Sequence, residues 1–145
     1  MIACSVSRKA ARLGLVLFCR HTAAISRCEV ARLARRTPRK IALAFGDARV
    51  SYEELNRRAN QLAHHLISYG AGEETRIGIY IERSIEMIVA VLGVLKAGAA
   101  YVPLDPAYPA ERLAYMAEDA GVRVLLAHSA LRDRVCLPSC GATGL

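Results

Sequence analysis

Lysine, aspartate and tyrosine crowd into one short stretch, residues 95–116, LKAGAAYVPLDPAYPAERLAYM. Lys96, Asp105 and the tyrosines Tyr101, Tyr108 and Tyr115 make it the most site-like segment of the chain. Chemistry on phosphates needs their charge neutralised, usually by a lysine, a bound magnesium ion and a glycine-rich loop with backbone donors. The loop is missing. No GxxxxGK[ST] occurs, and Gly70-Ala71-Gly72 has Thr75 where a dinucleotide loop would carry its third glycine.

Other constellations are weaker. His64 and His65 are adjacent and point about a quarter-turn or more apart on a helix, so they cannot chelate as residues one turn apart do. Cys136 and Cys140 have no second pair nearby to complete a zinc site, and read as free thiols of a tail. No GxSxG elbow is present, and Gly141-Ala142-Thr143-Gly144 completes no motif. Tyr52 and Asn56 fall in the first turn of a helix that packing explains. Arg83 and Glu111 are charges at a helix start or on a solvated face. No catalytic, cofactor-binding or metal-ligating residue is therefore assigned.

The elements around these residues are well punctuated. Residues 28–36 predict a short helix stopped before Pro38, because the residue preceding proline is pushed out of the helical region. Residues 41–45 and 48–51 predict a hairpin across Gly46-Asp47. Ser51 and Glu54 predict a capping box, each side chain satisfying the other's backbone donor. The helix it opens has Leu55, Ala59, Leu62, Ala63 and Leu66 on one face and ends at Gly70 and Gly72. Residues 75–81 predict a strand with Ile77, Ile79 and Ile81 alternating. Ser84 caps a buried helix over residues 85–95. Gly98 closes it, residues 99–104 predict a strand that Pro103 stops from pairing on at least one side, and residues 109–120 predict a helix closed by Gly121. Residues 122–127 predict another strand, and Ser129 caps a last helical turn through Arg134. The order implies right-handed crossovers and an α/β fold: a partial, doubly wound, mainly parallel sheet with flanking helices, preceded by a β-hairpin.

Charge is unevenly distributed. Of the twenty Lys/Arg, ten fall in residues 1–40 against Glu29 alone, and ten in residues 41–145 against twelve acids, so the net +7 belongs to the N-terminal arm. Its cations are scattered among apolar residues with Phe18 as the lone aromatic, which suits a solvated leader better than a nucleic-acid or lipid surface. No specific nucleic-acid module is expected. Residues 1–27 lack acids, and the apolar run 13–19 is far too short to span a bilayer. A secretory signal and an organellar transit peptide both compete here with sequence translated upstream of the true domain start, which is the reading preferred. All five cysteines lie outside residues 41–135, so the centre is stabilised by its hydrophobic core and not by disulfides.

Lys96 to Gly98, Tyr101 to Pro106 and Tyr108-Pro109, in that order, resemble the second core motif of the adenylation domains of nonribosomal peptide synthetases, within the AMP-forming ligase (AMP-dependent synthetase) superfamily. VSYEEL at residues 50–55 resembles the first core motif at the expected distance. The resemblance covers residues 31–135. It implies a parent domain, several times longer, that uses ATP and Mg2+ to join an amino acid to AMP, releasing pyrophosphate, for loading on a carrier-protein thiol in secondary-metabolite biosynthesis. The family's phosphate loop, its ribose-holding aspartate and its C-terminal lysine all come later than this stretch. The chain is therefore expected to be a basic leader, disordered or non-native (residues 1–30), the N-terminal part of an AMP-binding adenylation domain (31–135) and an aberrant tail (136–145) of the kind a frameshift or premature stop would leave. It is expected to need no cofactor of its own and to be inactive alone. Its implied partners are the remainder of the domain or synthetase and the carrier protein, with self-association if isolated and a cytoplasmic address. The competing reading is a small α/β interaction or docking subunit without catalysis, whose open sheet edge invites partners.

Overall fold

The computed structural model describes residues 20–128 and 141–144. Its elements are α1 (Arg20–Arg36), β1 (Ile41–Phe45), β2 (Ala48–Ser51), α2 (Tyr52–Ser68), β3 (Arg76–Tyr80), α3 (Ile85–Lys96), β4 (Ala100–Pro103), α4 (Ala110–Asp119), β5 (Val124–Ala127) and β6 (Gly141–Gly144). The predicted last turn from Ser129 and the cysteines Cys136 and Cys140 lie outside the described residues.

One joint is used three times. After α2, α3 and α4 the chain enters Gly70, Gly98 and Gly121, each with a positive φ of +80°, +80° and +61°. The amide two residues past each cap then reaches back into the helix: Ala71 N to Leu66 O (3.0 Å), Ala99 N to Val94 O (3.1 Å) and Val122 N to Ala117 O (2.9 Å). These are Schellman closures, which satisfy the last carbonyls and press a small apolar pair together. They set the angle at which the chain leaves each helix.

β3, β4, β5 and β6 form a parallel sheet in the order β4-β3-β5-β6, while β1 and β2 pair as a separate antiparallel hairpin. The crossover through α3 places β4 on one side of β3, and the crossover through α4 places β5 on the other. Right-handedness then puts the two helices on opposite faces, and the packing agrees. Ile77, Ile79, Val124 and Leu126 join α2 and α3 in one core; Tyr80, Leu104, Leu125 and Ala127 join Leu113 and Ala117 of α4 in the other. With both faces covered, all four residues Ile77 to Tyr80 are buried, not alternate ones. Each leucine buried on α2 contributes on the order of 2 kcal/mol relative to exposure. α2 and α3 meet so closely that a Cβ on Gly93 would stand 2.7 Å from Leu62 Cδ2.

Three local expectations change, and a fourth, that Pro103 stops its strand from pairing on one side, holds. The capping box at α2 is half formed: Glu54 N donates to Ser51 Oγ at 3.3 Å, but the Glu54 carboxylate accepts from Arg57 and Arg58 instead of returning to Ser51. Two guanidiniums are stronger donors to a carboxylate than one amide. α1 starts at Arg20, not at residue 28, and so enters the stretch read as leader; no proline or glycine interrupts residues 20–37, and Val30 packs on the core. Residues 141–144 add a fourth parallel strand within the stretch read as an aberrant tail. Finally, the sheet edge at β4 is poorly suited to pairing. Ala100 N and Leu104 N donate toward β3 (both 2.9 Å), so alternate positions 101 and 103 face outward, and Pro103 has no N–H. Tyr101 is left as the strand's one outward donor, which blunts the edge.

Candidate functional site

β3 and β4 are neighbours whose outgoing connections turn to opposite faces of the sheet. A crevice must open between their carboxyl ends, the position where open α/β sheets receive ligands. A cleft of about 420 Å³ lies there, with Ile79, Ile81, Met87 and Tyr101 among its apolar walls and Glu82, Arg83 and Asp105 among its polar ones. Its geometry follows from the caps on either side. Ser84 accepts from Met87 N at 3.2 Å and starts α3 directly after Arg83. Asp105 Oδ1 accepts from Ala107 N at 2.9 Å, and Tyr108 N donates to Asp105 O at 3.0 Å, which fixes the turn into α4.

Location alone does not make chemistry. One oxygen of Asp105 is occupied by its own turn, and two carboxylates share the cleft with one guanidinium. The adjacent helix N-terminus could favour an anion, but its first turn carries Glu86. These residues do not fit a magnesium-bound polyphosphate. Glu82 and Arg83 are exposed, and neither makes an ion pair or side-chain hydrogen bond with a described residue.

Lys96 is elsewhere. It ends α3, roughly 16 Å along the helix from its start beside Arg83. Its Nζ donates to Asn56 Oδ1 and Asn60 Oδ1, both at 2.6 Å. The two asparagines are one turn apart on α2, so the ammonium bolts α3 to α2. Partial burial lowers the Lys96 pKa from its ordinary value, while the nearby Cys28 charge acts in the opposite direction. Asn56 thus has a structural partner, and Asn60 completes the clamp. Asn60 is not among the residues that the sequence singles out; its i+4 spacing from Asn56 is the available signal.

The remaining site-like residues do not converge. Arg112 lies over the Tyr108 ring with its guanidinium carbon 4.5 Å from the centroid, and Tyr115 is 69% exposed on α4. Glu111 and His64 are exposed, Tyr52 is half-buried, and His65 meets Tyr69 edge-on at 4.9 Å. Thr75, where a phosphate loop would want glycine, is buried and accepts from Gly72 N at 3.2 Å, closing a turn. Among the described residues no group of three or more His, Cys, Asp or Glu is arranged to hold a metal ion.

The family model described as AMP-binding enzyme matches residues 30–142. A linear gramicidin synthase of Brevibacillus parabrevis is 57% identical over 100 residues, which are 69% of this chain and 1% of that protein. Bacitracin synthase 1 of Bacillus licheniformis is 55% identical over 94 residues, 65% of this chain and 2% of the relative. Among solved structures, the nonribosomal peptide synthetase FmoA3 in its α-methyl-L-serine-AMP-bound form superposes with a TM-score of 0.78 at 34% identity, over 81% of this chain and 14% of that one. The N-terminal subdomain of Klebsiella oxytoca NpsA shares the fold, with a TM-score of 0.73 at 24% identity over 81% of this chain and 30% of that one. The chain spans a small fraction of each relative's length.

Proposed function

We propose, from the premise that this chain belongs to the AMP-binding enzyme family and is a partial N-terminal segment of a nonribosomal peptide synthetase adenylation domain, that it supplies scaffold and not chemistry. The parent reaction is ATP- and Mg2+-dependent conversion of an amino acid to aminoacyl-AMP, followed by transfer to a carrier-protein thiol. This chain has no such activity alone. The observation that carries the reading is the fate of Lys96: the one lysine of the site-like stretch is spent on Asn56 and Asn60. Asp105 is likewise engaged in its turn.

The partners that fit are the remainder of the adenylation domain and, through it, the carrier protein. The address that the family resemblance implies is cytoplasmic. Among the described residues no helix is long and apolar enough to cross a membrane. Alone, the chain self-associates and binds hydrophobic dyes, because the cleft walls and apolar side chains such as Phe45 and Tyr115 remain uncovered. The blunted edge at β4 weighs against a docking subunit that works by strand addition. The test is ATP–pyrophosphate exchange by the purified chain with magnesium and each common amino acid. No exchange is expected, and appreciable exchange with any amino acid overturns the scaffold reading.

A further inference from the structure

The corner where α1 runs into the hairpin carries more positive charge than the fold uses. Between residues 30 and 52 stand Arg32, Arg35, Arg36, Arg39, Lys40 and Arg49 against Asp47 alone. Three are explained locally: Arg32 pairs with Glu29, and Arg35 and Arg36 suit the negative end of α1. Arg39, Lys40 and Arg49 are exposed and make no ion pair or side-chain hydrogen bond with a described residue. Their backbone is firmly held. Lys40 N donates to Thr37 O (3.1 Å), Lys40 O accepts from Tyr52 N (3.0 Å), and Arg49 stands opposite Ala44 in the hairpin ladder. The same hairpin leaves Ile41 52% exposed, and its pairing with Ser51 puts it on the face that carries Arg49, whereas Phe45, paired with Ala48, lies on the other face.

We propose that this corner is a docking surface for an acidic protein segment that also presents an apolar side chain. Fixed cations beside the exposed Ile41 match such a partner in both charge and surface type. A lipid surface fits less well, because Asp47 occupies the hairpin tip that would meet it first. A nucleic acid would want stacking platforms, and Phe45 is the one aromatic on the hairpin. The matched segment makes up 1% of the linear gramicidin synthase and 4% of a mycosubtilin synthase of Bacillus subtilis, so its surroundings in such relatives are overwhelmingly protein. This inference goes beyond the scaffold role, and its test involves no adenylation, so either can fail without the other.

The full chain is titrated into a fluorescein-labelled peptide of glutamates and leucines at helical spacing, with fluorescence anisotropy as readout. Saturable binding that weakens with added salt is expected. The variant Arg39→Gln/Lys40→Gln/Arg49→Gln loses about tenfold in affinity with an unchanged circular dichroism spectrum. The charge-conserving Arg39→Lys/Lys40→Arg/Arg49→Lys variant binds like the parent chain, as does Arg8→Gln/Lys9→Gln/Arg12→Gln. Four results overturn the proposal: no saturable binding, equal binding by the neutralised corner, loss of binding on neutralising residues 8, 9 and 12, or tighter binding to phosphatidylserine vesicles or oligothymidylate than to the peptide.

Discussion

Lys96 and Arg83 flank the same helix, one at its last residue and the other just before its cap, and they meet opposite fates. Lys96 belongs to the most recognisable motif of the chain, yet its ammonium is consumed in holding α3 to α2. Arg83 stands at the crevice where a sheet of this topology would receive a ligand, yet no described residue engages it. A motif lysine can be architecture, and a well-placed cleft can lack the groups that would make it a site. The carboxyl end of the sheet is shaped by a helix cap and a turn, with Ser84 starting α3 and Asp105 fixing the way into α4.

The helix interface that Lys96 seals is the place to break this contrast. Gly93→Val puts a branched side chain where a Cβ alone would be 2.7 Å from Leu62, and should cost about 3 kcal/mol in urea unfolding followed by circular dichroism. A loss under about 0.5 kcal/mol would mean that α2 and α3 do not pack as described. Lys96→Met removes both donors from Asn56 and Asn60 and should cost about 1–2 kcal/mol. The Asn56→Ala/Asn60→Ala pair should then add little on top of Lys96→Met; full additivity would show that the clamp is not a unit.

Acid sharpens the comparison in the first turn of α2, just ahead of the clamp. Hydrogen bonds from Arg57 and then Arg58 hold the Glu54 carboxyl down to about 2, from an ordinary 4.5. Because the folded value is the depressed one, the stabilisation is complete above 4.5 and is lost as pH falls toward 2. Glu54→Gln should flatten that part of the stability profile, and a parallel decline in both proteins would assign the acid sensitivity to other groups. The smallest effect belongs to the cleft. Arg83→Gln should leave unfolding free energy within about 0.5 kcal/mol of the parent, since the guanidinium stabilises no described contact, and a larger loss would reveal a structural role.

Much of this was legible in sequence because it is local. Ser51 and Ser84 are followed by amides they can cap, and Gly98 and Gly121 stand where only a residue tolerant of positive φ closes a helix cheaply. What escaped was decided across the fold. Asn60 acquires its role from a lysine 36 positions away, and Glu54 abandons the capping box because two arginines outbid one amide. The strand at residues 141–144 reads as glycine-rich tail until β5 offers it a partner. The cleft itself is a product of strand order, which no single stretch encodes.

The central claim, that the chain holds the scaffold of an adenylating domain without its chemistry, is tested most directly by equilibrium dialysis of the purified chain against radiolabelled ATP with magnesium. Uptake should be no greater than for a charge-matched control protein and should show no saturation. Saturable binding of one ATP per chain would contradict the claim, and its loss on Arg83→Gln would place the site in the cleft between β3 and β4.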